Sequence, residues 1–275
     1  MKKIAIIGCG YIGFNLIKYF FHKKGYSITA ITHDITHLKQ INRLSQKSFI
    51  LKTIEKEAFI PIIQENDYII LTISKNLHYI YEDFLKIANS IKKASISINL
   101  SSNLIYTSRA TIYGDQRGLW VDENSKPNPL SDEHKILTET ENILLSLKKL
   151  GWKVTILRLA EVYGPSFELS KKIKLRSDYF DSKTKDYYTN MIHLRDIINS
   201  IIFILDHNIE GIYNLADEDH PTQEALLKDL STKLNIPITP YKLKCIKSLR
   251  GNYRVSNNKI KSLGYKFLFP NRIFS

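Results

Sequence analysis

Only two cysteines, Cys9 and Cys245, occur in 275 residues. That is too few for a disulfide framework or a thiolate metal set, and it fits a reducing compartment. No stretch reaches the ~18–20 continuous apolar residues that a membrane span requires. The opening MKKIAIIGCG imitates a secretory leader, with two lysines before an apolar run. The run ends at Gly8 after four apolar residues, short of the roughly 7–15 of an h-region. The expected location is therefore cytoplasmic, with no membrane partner. The histidines show no ligand spacing with Asp, Glu or Cys, so no metal site is expected.

Acidic residues are missing altogether from Leu230 to Ser275, a span holding ten lysines and arginines. It therefore carries +10 of the chain's formal +13. Such a block can attract nucleic acid, anionic lipid or a phosphorylated small molecule. Valine is scarce as well, 4 against 41 isoleucines, and the chain is rich in Lys and Asn. AT-rich coding sequence gives the same bias, which is a plain source for part of the charge. No helix-turn-helix, zinc or RNA-binding signature is present, which weighs against a nucleic-acid partner and toward a small-molecule phosphate site.

With 43% hydrophobic and 24% charged residues, the chain reads as a soluble globular protein of one large domain, or a domain with a small cap. Short apolar strand candidates alternate with amphipathic segments. The strands are Ile4–Ile7, Tyr26–Thr32, Ser48–Thr53, Tyr68–Ile73, Leu104–Ser108, Val154–Arg158 and Gly211–Leu215. The helices are Tyr11–Lys24, Glu57–Gln64 despite Pro61, Tyr79–Lys93, Ser131–Leu150, Leu194–Asn208 and Thr222–Leu234. This alternation predicts an α/β fold with a doubly wound parallel sheet. Regularity weakens after Tyr163. The expected division is a Rossmann domain of 1–164, joined by 194–216, and a small substrate lobe of 165–193 and 217–275.

The most informative motif is Gly8-Cys9-Gly10-Tyr11-Ile12-Gly13, a GxGxxG directly after a strand and opening a helix. Gly8 permits the tight turn, Gly10 leaves room for a pyrophosphate, and Gly13 lets helix and strand pack closely. The helix N-terminus adds unpaired N–H groups that hold an anion. Cys9 reads as a small packed residue. The second strand ends Thr32-His33-Asp34, with Asp34 21 residues after Gly13. An acid there would bind ribose hydroxyls and favour NAD, whereas His33 could meet a 2′-phosphate, so NAD and NADP both stand. Tyr11, Ile12, Thr32 and Thr72 join the glycines, His33 and Asp34 in the candidate cofactor set.

The segment YTSRATIYGD (Tyr106–Asp115) resembles the fifth-strand segment of extended short-chain dehydrogenases/reductases, the NAD-dependent epimerase/dehydratase group. LRLAEVYGP (Leu157–Pro165), NMIHLRDI (Asn190–Ile197), GIYNLADEDHPT (Gly211–Thr222) and YRVSNNKIKSLGY (Tyr253–Tyr265) follow in the order of the family's landmarks. The GxGxxG loop and the short C-terminal lobe look most like an atypical branch. The resemblance implies a Rossmann domain, bound NAD(P), and oxidoreductase or epimerase chemistry on a small-molecule substrate, phosphorylated or not, nucleotide-sugars included. A homodimer through the fifth-strand and Ser131–Leu150 helices is common in the family.

Catalysis is where the sequence departs. Family members use a Ser or Thr after the fifth strand and a Tyr-x-x-x-Lys pair, whose lysine lowers the tyrosine pKa for proton transfer. Matching ATIYG puts Arg109 at the Ser/Thr position, with Ser108 one residue earlier. Matching NPLS puts Glu133 at the tyrosine and Leu137 at the lysine. By the resemblance, Glu133, Glu161 and Arg109 would face the nicotinamide edge, a carboxylate as base and Arg109 as oxyanion or carboxylate partner. Three readings follow: an enzyme with other catalytic residues, a catalytically silent NAD(P)-binding regulator or scaffold, or a decayed enzyme. Members acting on nucleotide-sugars place an arginine of this lobe on the diphosphate, and Arg250 and Arg254 are the candidates here. Glu133 also reads as a first-turn acid behind a Ser131 cap, and His193 as a packed or capping histidine.

Overall fold

The computed structural model describes residues 1–74, 80–168, 184–235 and 251–273. The chain opens β1 (Lys2–Ile7), α1 (Tyr11–Phe21), β2 (Tyr26–Thr32), α2 (Ile35–Asn42), β3 (Lys47–Ile50), α3 (Lys56–Glu65) and β4 (Tyr68–Leu71). It continues through α4 (Tyr81–Ile98), β5 (Asn103–Arg109), a 3₁₀ turn at Ala110–Tyr113, β6 (Trp120–Val121), α5 (Asp132–Ser146), β7 (Lys153–Leu159) and β8 (Glu161–Tyr163). The last described elements are β9 (Met191–His193), α6 (Leu194–His207), β10 (Gly211–Leu215), α7 (Gln223–Leu234), β11 (Arg254–Val255) and α8 (Asn258–Ser262). Among the described residues, no helix is long and apolar enough to cross a membrane.

Seven strands form a parallel sheet in the order β10-β7-β5-β4-β1-β2-β3. Ile4 pairs with both Ile28 and Tyr68, so β1 lies where the strand order reverses. Ile4, Ala5, Ile6, Ile69 and Ile70 are fully buried, as strands covered on both faces require. The crevice beyond the C-terminal ends of β1 and β4 is the place such a sheet offers a ligand.

The chain forms two compact units. The first comprises Met1–Ser108, Lys135–Leu157 and Ile204–Ile212, the second Arg109–His134, Arg158–Phe203 and Tyr213–Ser275. The boundaries fall within β5, α5, β7, α6 and β10. The second unit holds two further parallel pairs, β6 with β11 and β8 with β9. There Asp196, on the first turn of α6, accepts from the backbone N–H groups of Leu268 and Phe269. Tyr113 donates to Asn214 and accepts from Arg158, a buried polar set that makes this Tyr-Gly turn structural.

Several element ends differ from the sequence reading. α1 stops at Phe21, not Lys24, and the chain reverses through Gly25 at φ +91°. α5 ends at Ser146 and tightens into a 3₁₀ turn before Gly151. β4 ends at Leu71 because Thr72 turns toward the β1 loop. The eight-residue α2 was not expected at all. It buries only Ile41, so it carries little apolar periodicity, and Asp34 creates it as an N-cap.

Candidate functional site

The first unit builds its candidate site from the turn after β1. Gly8, at φ +95°, donates its N–H to the Ile31 carbonyl, and the Thr72 N–H donates to the Ile7 carbonyl. The Thr72 hydroxyl donates to the Gly8 carbonyl at 2.5 Å. A Cβ at Gly8 would stand 2.9 Å from the Thr72 and Ile73 backbone. One at Gly13 would overlap the Gly8 carbonyl oxygen and come 2.6 Å from Thr72 Oγ1. Gly10 differs: the nearest heavy atom to its Cβ position is Ser74 Oγ at 3.8 Å. Two glycines are thus required by packing, and the middle one borders open space.

α1 starts at Tyr11 and Ile12 with Gly10 as N-cap, no side-chain cap and no acid in its first turn. Among the described residues, no side-chain cap and no first-turn acid offset its leading N–H groups and dipole, the arrangement that takes a phosphate. The residues therefore fit a dinucleotide pyrophosphate. At the end of β2, buried Thr32 accepts from the Asp34 N–H through its hydroxyl at 3.1 Å. Asp34 Oδ1 accepts from the Thr36 N–H and hydroxyl at 2.8 and 2.7 Å, and Oδ2 lies 3.8 Å from His37 Nδ1. His33 sits half-buried between them. Cys9 is packed as expected: its thiol donates to the Ile31 carbonyl, and burial pushes its pKa up to about 12.

Ser108, also in the first unit, is buried and donates to Glu141 Oε1 at 2.5 Å. Glu141 was not among the sequence candidates. Its signal was a carboxylate on the buried stripe of α5, one turn after Leu137, which is 1% exposed. In the second unit Arg109 and Glu133 come together around buried His134. Burial holds that imidazole below its usual pKa, Glu133 raises it, and Arg109 lowers it. Ser131 accepts from the His134 N–H at 3.2 Å, the expected cap. Thr111, two residues after Arg109, has a buried Oγ1 with no hydrogen-bond partner among the described residues. The sequence reading passed over it because Arg109 took the family's hydroxyl position. Glu161 opens β8 half-buried, its N–H donating to the Asn190 carbonyl at 3.1 Å.

Residues 4–216 match the NAD dependent epimerase/dehydratase family. The chain belongs to that family. No curated protein matches it in sequence. Among solved structures it is similar to a functionally unknown conserved protein from Silicibacter pomeroyi, at 17% identity and TM-score 0.77, covering 98% of this chain and 95% of that one. It also resembles the UDP-glucose 4-epimerase of Bifidobacterium longum, solved with NAD+ and UDP, at 18% identity and TM-score 0.76 over 96% of this chain and 93% of that one. The Thermotoga maritima UDP-glucose 4-epimerase, solved with UDP-glucose, gives 17% identity and TM-score 0.76 over 97% and 93%. At these identities the likeness is one of fold.

For an epimerase/dehydratase family member the α5 substitutions matter most: Leu137, at the position matched to lysine, is core. Of the two candidate phosphate arginines, Arg250 lies outside the described residues. The Arg254 guanidinium lies 4.9 Å from the Trp120 ring centroid and 4.6 Å from that of Tyr188, with Nε donating to the Gly118 carbonyl at 3.0 Å. His193 is buried against Tyr163 and Phe269 and accepts the Arg195 N–H at Nδ1, so it both packs and caps.

Burial and the Arg195 charge hold the His193 pKa at about 4, against 6.5 unperturbed. Between these values the unfolded chain binds a proton that the folded one does not. His193 therefore contributes full stability above about pH 6.5, and loses it as pH falls toward 4. Urea unfolding at stepped pH should show wild type losing on the order of 2–3 kcal/mol more than His193→Gln across that window. Parallel pH profiles for the two proteins would contradict a buried neutral imidazole.

Proposed function

We propose that this family member binds NAD in the Gly8–Gly13 turn and performs oxidoreductase or epimerase chemistry on a hydroxyl- or carbonyl-bearing substrate, with nucleotide-sugars the first class to test. The observation that carries this reading is the open face at Gly10, beside an uncapped, acid-free helix N-terminus. The Asp34 carboxylate at the end of β2 supports NAD over NADP, since it accepts ribose hydroxyls and repels a 2′-phosphate. Bound there, the dinucleotide would supply hydride exchange. The proposed substrate-facing groups are the Thr111 hydroxyl, the Arg109 guanidinium and the Glu161 carboxylate, which between them offer a donor, a fixed cation and a base. A second reading, cofactor binding without turnover, is favoured by Leu137 in the core and by the commitment of Ser108 to Glu141.

The test is thermal unfolding with NAD, NADH, NADP and NADPH, each with and without UDP-glucose and related nucleotide-sugars. At 100 times its dissociation constant a ligand adds about 2.7 kcal/mol, a rise of roughly 5–10 °C for a chain of this size. NAD or NADH should give that rise and the phosphorylated forms a smaller one. Asp34→Ala should narrow the difference. No rise with any dinucleotide overturns the proposal, and a larger rise with NADP overturns the role of Asp34. Glu161→Gln and Arg109→Ala should keep the rise and abolish interconversion of NAD and NADH. A cofactor rise without turnover on any substrate selects the second reading.

A further inference from the structure

The second unit contains a groove of about 560 Å³ that the redox reading leaves unused. We propose that it is a binding site for a neutral saccharide, docked against Trp120 with its hydroxyls donating to His220 Nε2 and to the Asp122 and Glu218 carboxylates. The indole comes from β6, His220 and Glu218 from the loop after β10, and Lys261 from α8.

His220 is fixed in one tautomer by its neighbours. The Asn190 amide donates through Nδ2 to the Tyr253 carbonyl at 2.8 Å and accepts at Oδ1 from the Val255 N–H at 2.8 Å. Both bonds set the amide orientation, so the Oδ1 that lies 2.9 Å from His220 Nδ1 is an acceptor there too. Nδ1 must carry the proton, and the neutral ring then presents a lone pair at Nε2. Burial, with Arg272 and Arg254 nearby and only partly offset by Asp219 and Glu218, keeps the ring neutral, its pKa down at about 4. His220 meets Trp120 edge-on, with centroids 4.9 Å apart.

Trp120 is 55% exposed, unusual for an indole in a folded unit. Arg254 stacked at 4.9 Å fixes its orientation. Asp122 uses one oxygen, Oδ1, for the Asn124 and Ser125 N–H groups and the Ser125 hydroxyl. Glu218 uses Oε1 for Lys261 Nζ at 2.6 Å. The Asn124 side chain also approaches the Asp122 carboxylate, while Glu218 keeps its second oxygen for a ligand. An acceptor-rich lining calls for a ligand rich in hydroxyl donors, and two carboxylates disfavour a phosphate. An exposed aromatic surface suits the apolar C–H face of a sugar ring.

The chain reports on this site by itself, because Trp152, the only other tryptophan, is 2% exposed in the first unit and donates to Ser95 Oγ. Tryptophan fluorescence should be titrated with glucose, galactose, N-acetylglucosamine and maltose, and with inorganic phosphate and UMP as counter-ligands. At least one neutral saccharide should give a saturable change that neither counter-ligand gives, with or without NAD. His220→Ala should weaken it roughly tenfold, the loss of one good hydrogen bond. Glu218→Gln, at an exposed position, should weaken it several-fold without altering the unfolding temperature. Trp120→Phe should remove the signal, with calorimetry following the binding that remains. No saturable response to any saccharide overturns the proposal, as does a response to phosphate or UMP alone. Neither outcome bears on the cofactor turn, whose test reads dinucleotide-dependent stability.

Discussion

Arg272→Ala should cost about 3–5 kcal/mol of stability, the penalty for removing one partner of a buried ion pair. Only 1% of the Arg272 side chain is exposed, and none of the Asp217 side chain. Nε donates to Asp217 Oδ2 at 3.0 Å, Nη1 to the Thr189 hydroxyl at 2.6 Å, and Nη2 to the Thr189 carbonyl at 2.7 Å and to the Asp219 carbonyl. The Arg272 backbone N–H adds a bond to Asp219 Oδ2. One residue near the end of the chain thereby joins the 217–219 turn to the segment that leads into β9. Burial pushes the Asp217 carboxyl up, and the guanidinium opposes that push. Without the arginine, the acid must take a proton or the turn must open to water. At roughly 2–4 °C per kcal/mol the melting point should fall by roughly 6–20 °C. Arg272→Lys should recover only part of it, because an ammonium cannot reach three partners in one plane. A drop under about 1 kcal/mol for Arg272→Ala would show that the tail is not seated in this way in solution.

Arg272 also marks how far the sequence could be read. It counted there as one of ten charges in a basic block, and nothing local separates a buried arginine from a solvated one. Its partners lie more than 50 positions away. β6 and β11 are equally silent: each has two residues, and they pair across more than a hundred positions. Periodicity needs a longer window to register. By contrast, β1, the glycine turn, α1 and β2 were readable because apolar runs, glycine spacing and helical spacing all agree within 32 residues. Ser108 and Glu141 show an intermediate case. Ser108 was a candidate and Glu141 was not, because their bond depends on which face of α5 meets β5, and only the packed helix decides that. At Thr111 the family's hydroxyl position had gone to Arg109, and an Oγ1 buried with no partner among the described residues is visible only in three dimensions.

The glycine turn itself separates fold from function residue by residue. Gly13→Ala should destabilise the protein by about 3 kcal/mol or more, because its methyl would overlap the Gly8 carbonyl and crowd Thr72 Oγ1 at 2.6 Å. Backbone cannot swing aside as a flexible side chain can, so the strain must move α1 away from β1. Gly10→Ala meets nothing nearer than 3.8 Å, and its φ of −74° suits alanine. Apart from a poorer N-cap, worth at most about 1 kcal/mol, the free protein should be unchanged. Its methyl would, however, stand where a pyrophosphate must approach the backbone, and NAD affinity should fall at least tenfold, about 1.4 kcal/mol. Denaturant unfolding of both variants, with calorimetric titration of NAD, checks the pair together. If Gly10→Ala bound NAD as tightly as wild type, the dinucleotide would have to lie elsewhere. If Gly13→Ala were as stable as wild type, the close approach of α1 to the β1 turn would be wrong. The expected contrast, one glycine needed by the fold and its neighbour by the ligand, cannot arise from a turn that serves structure alone.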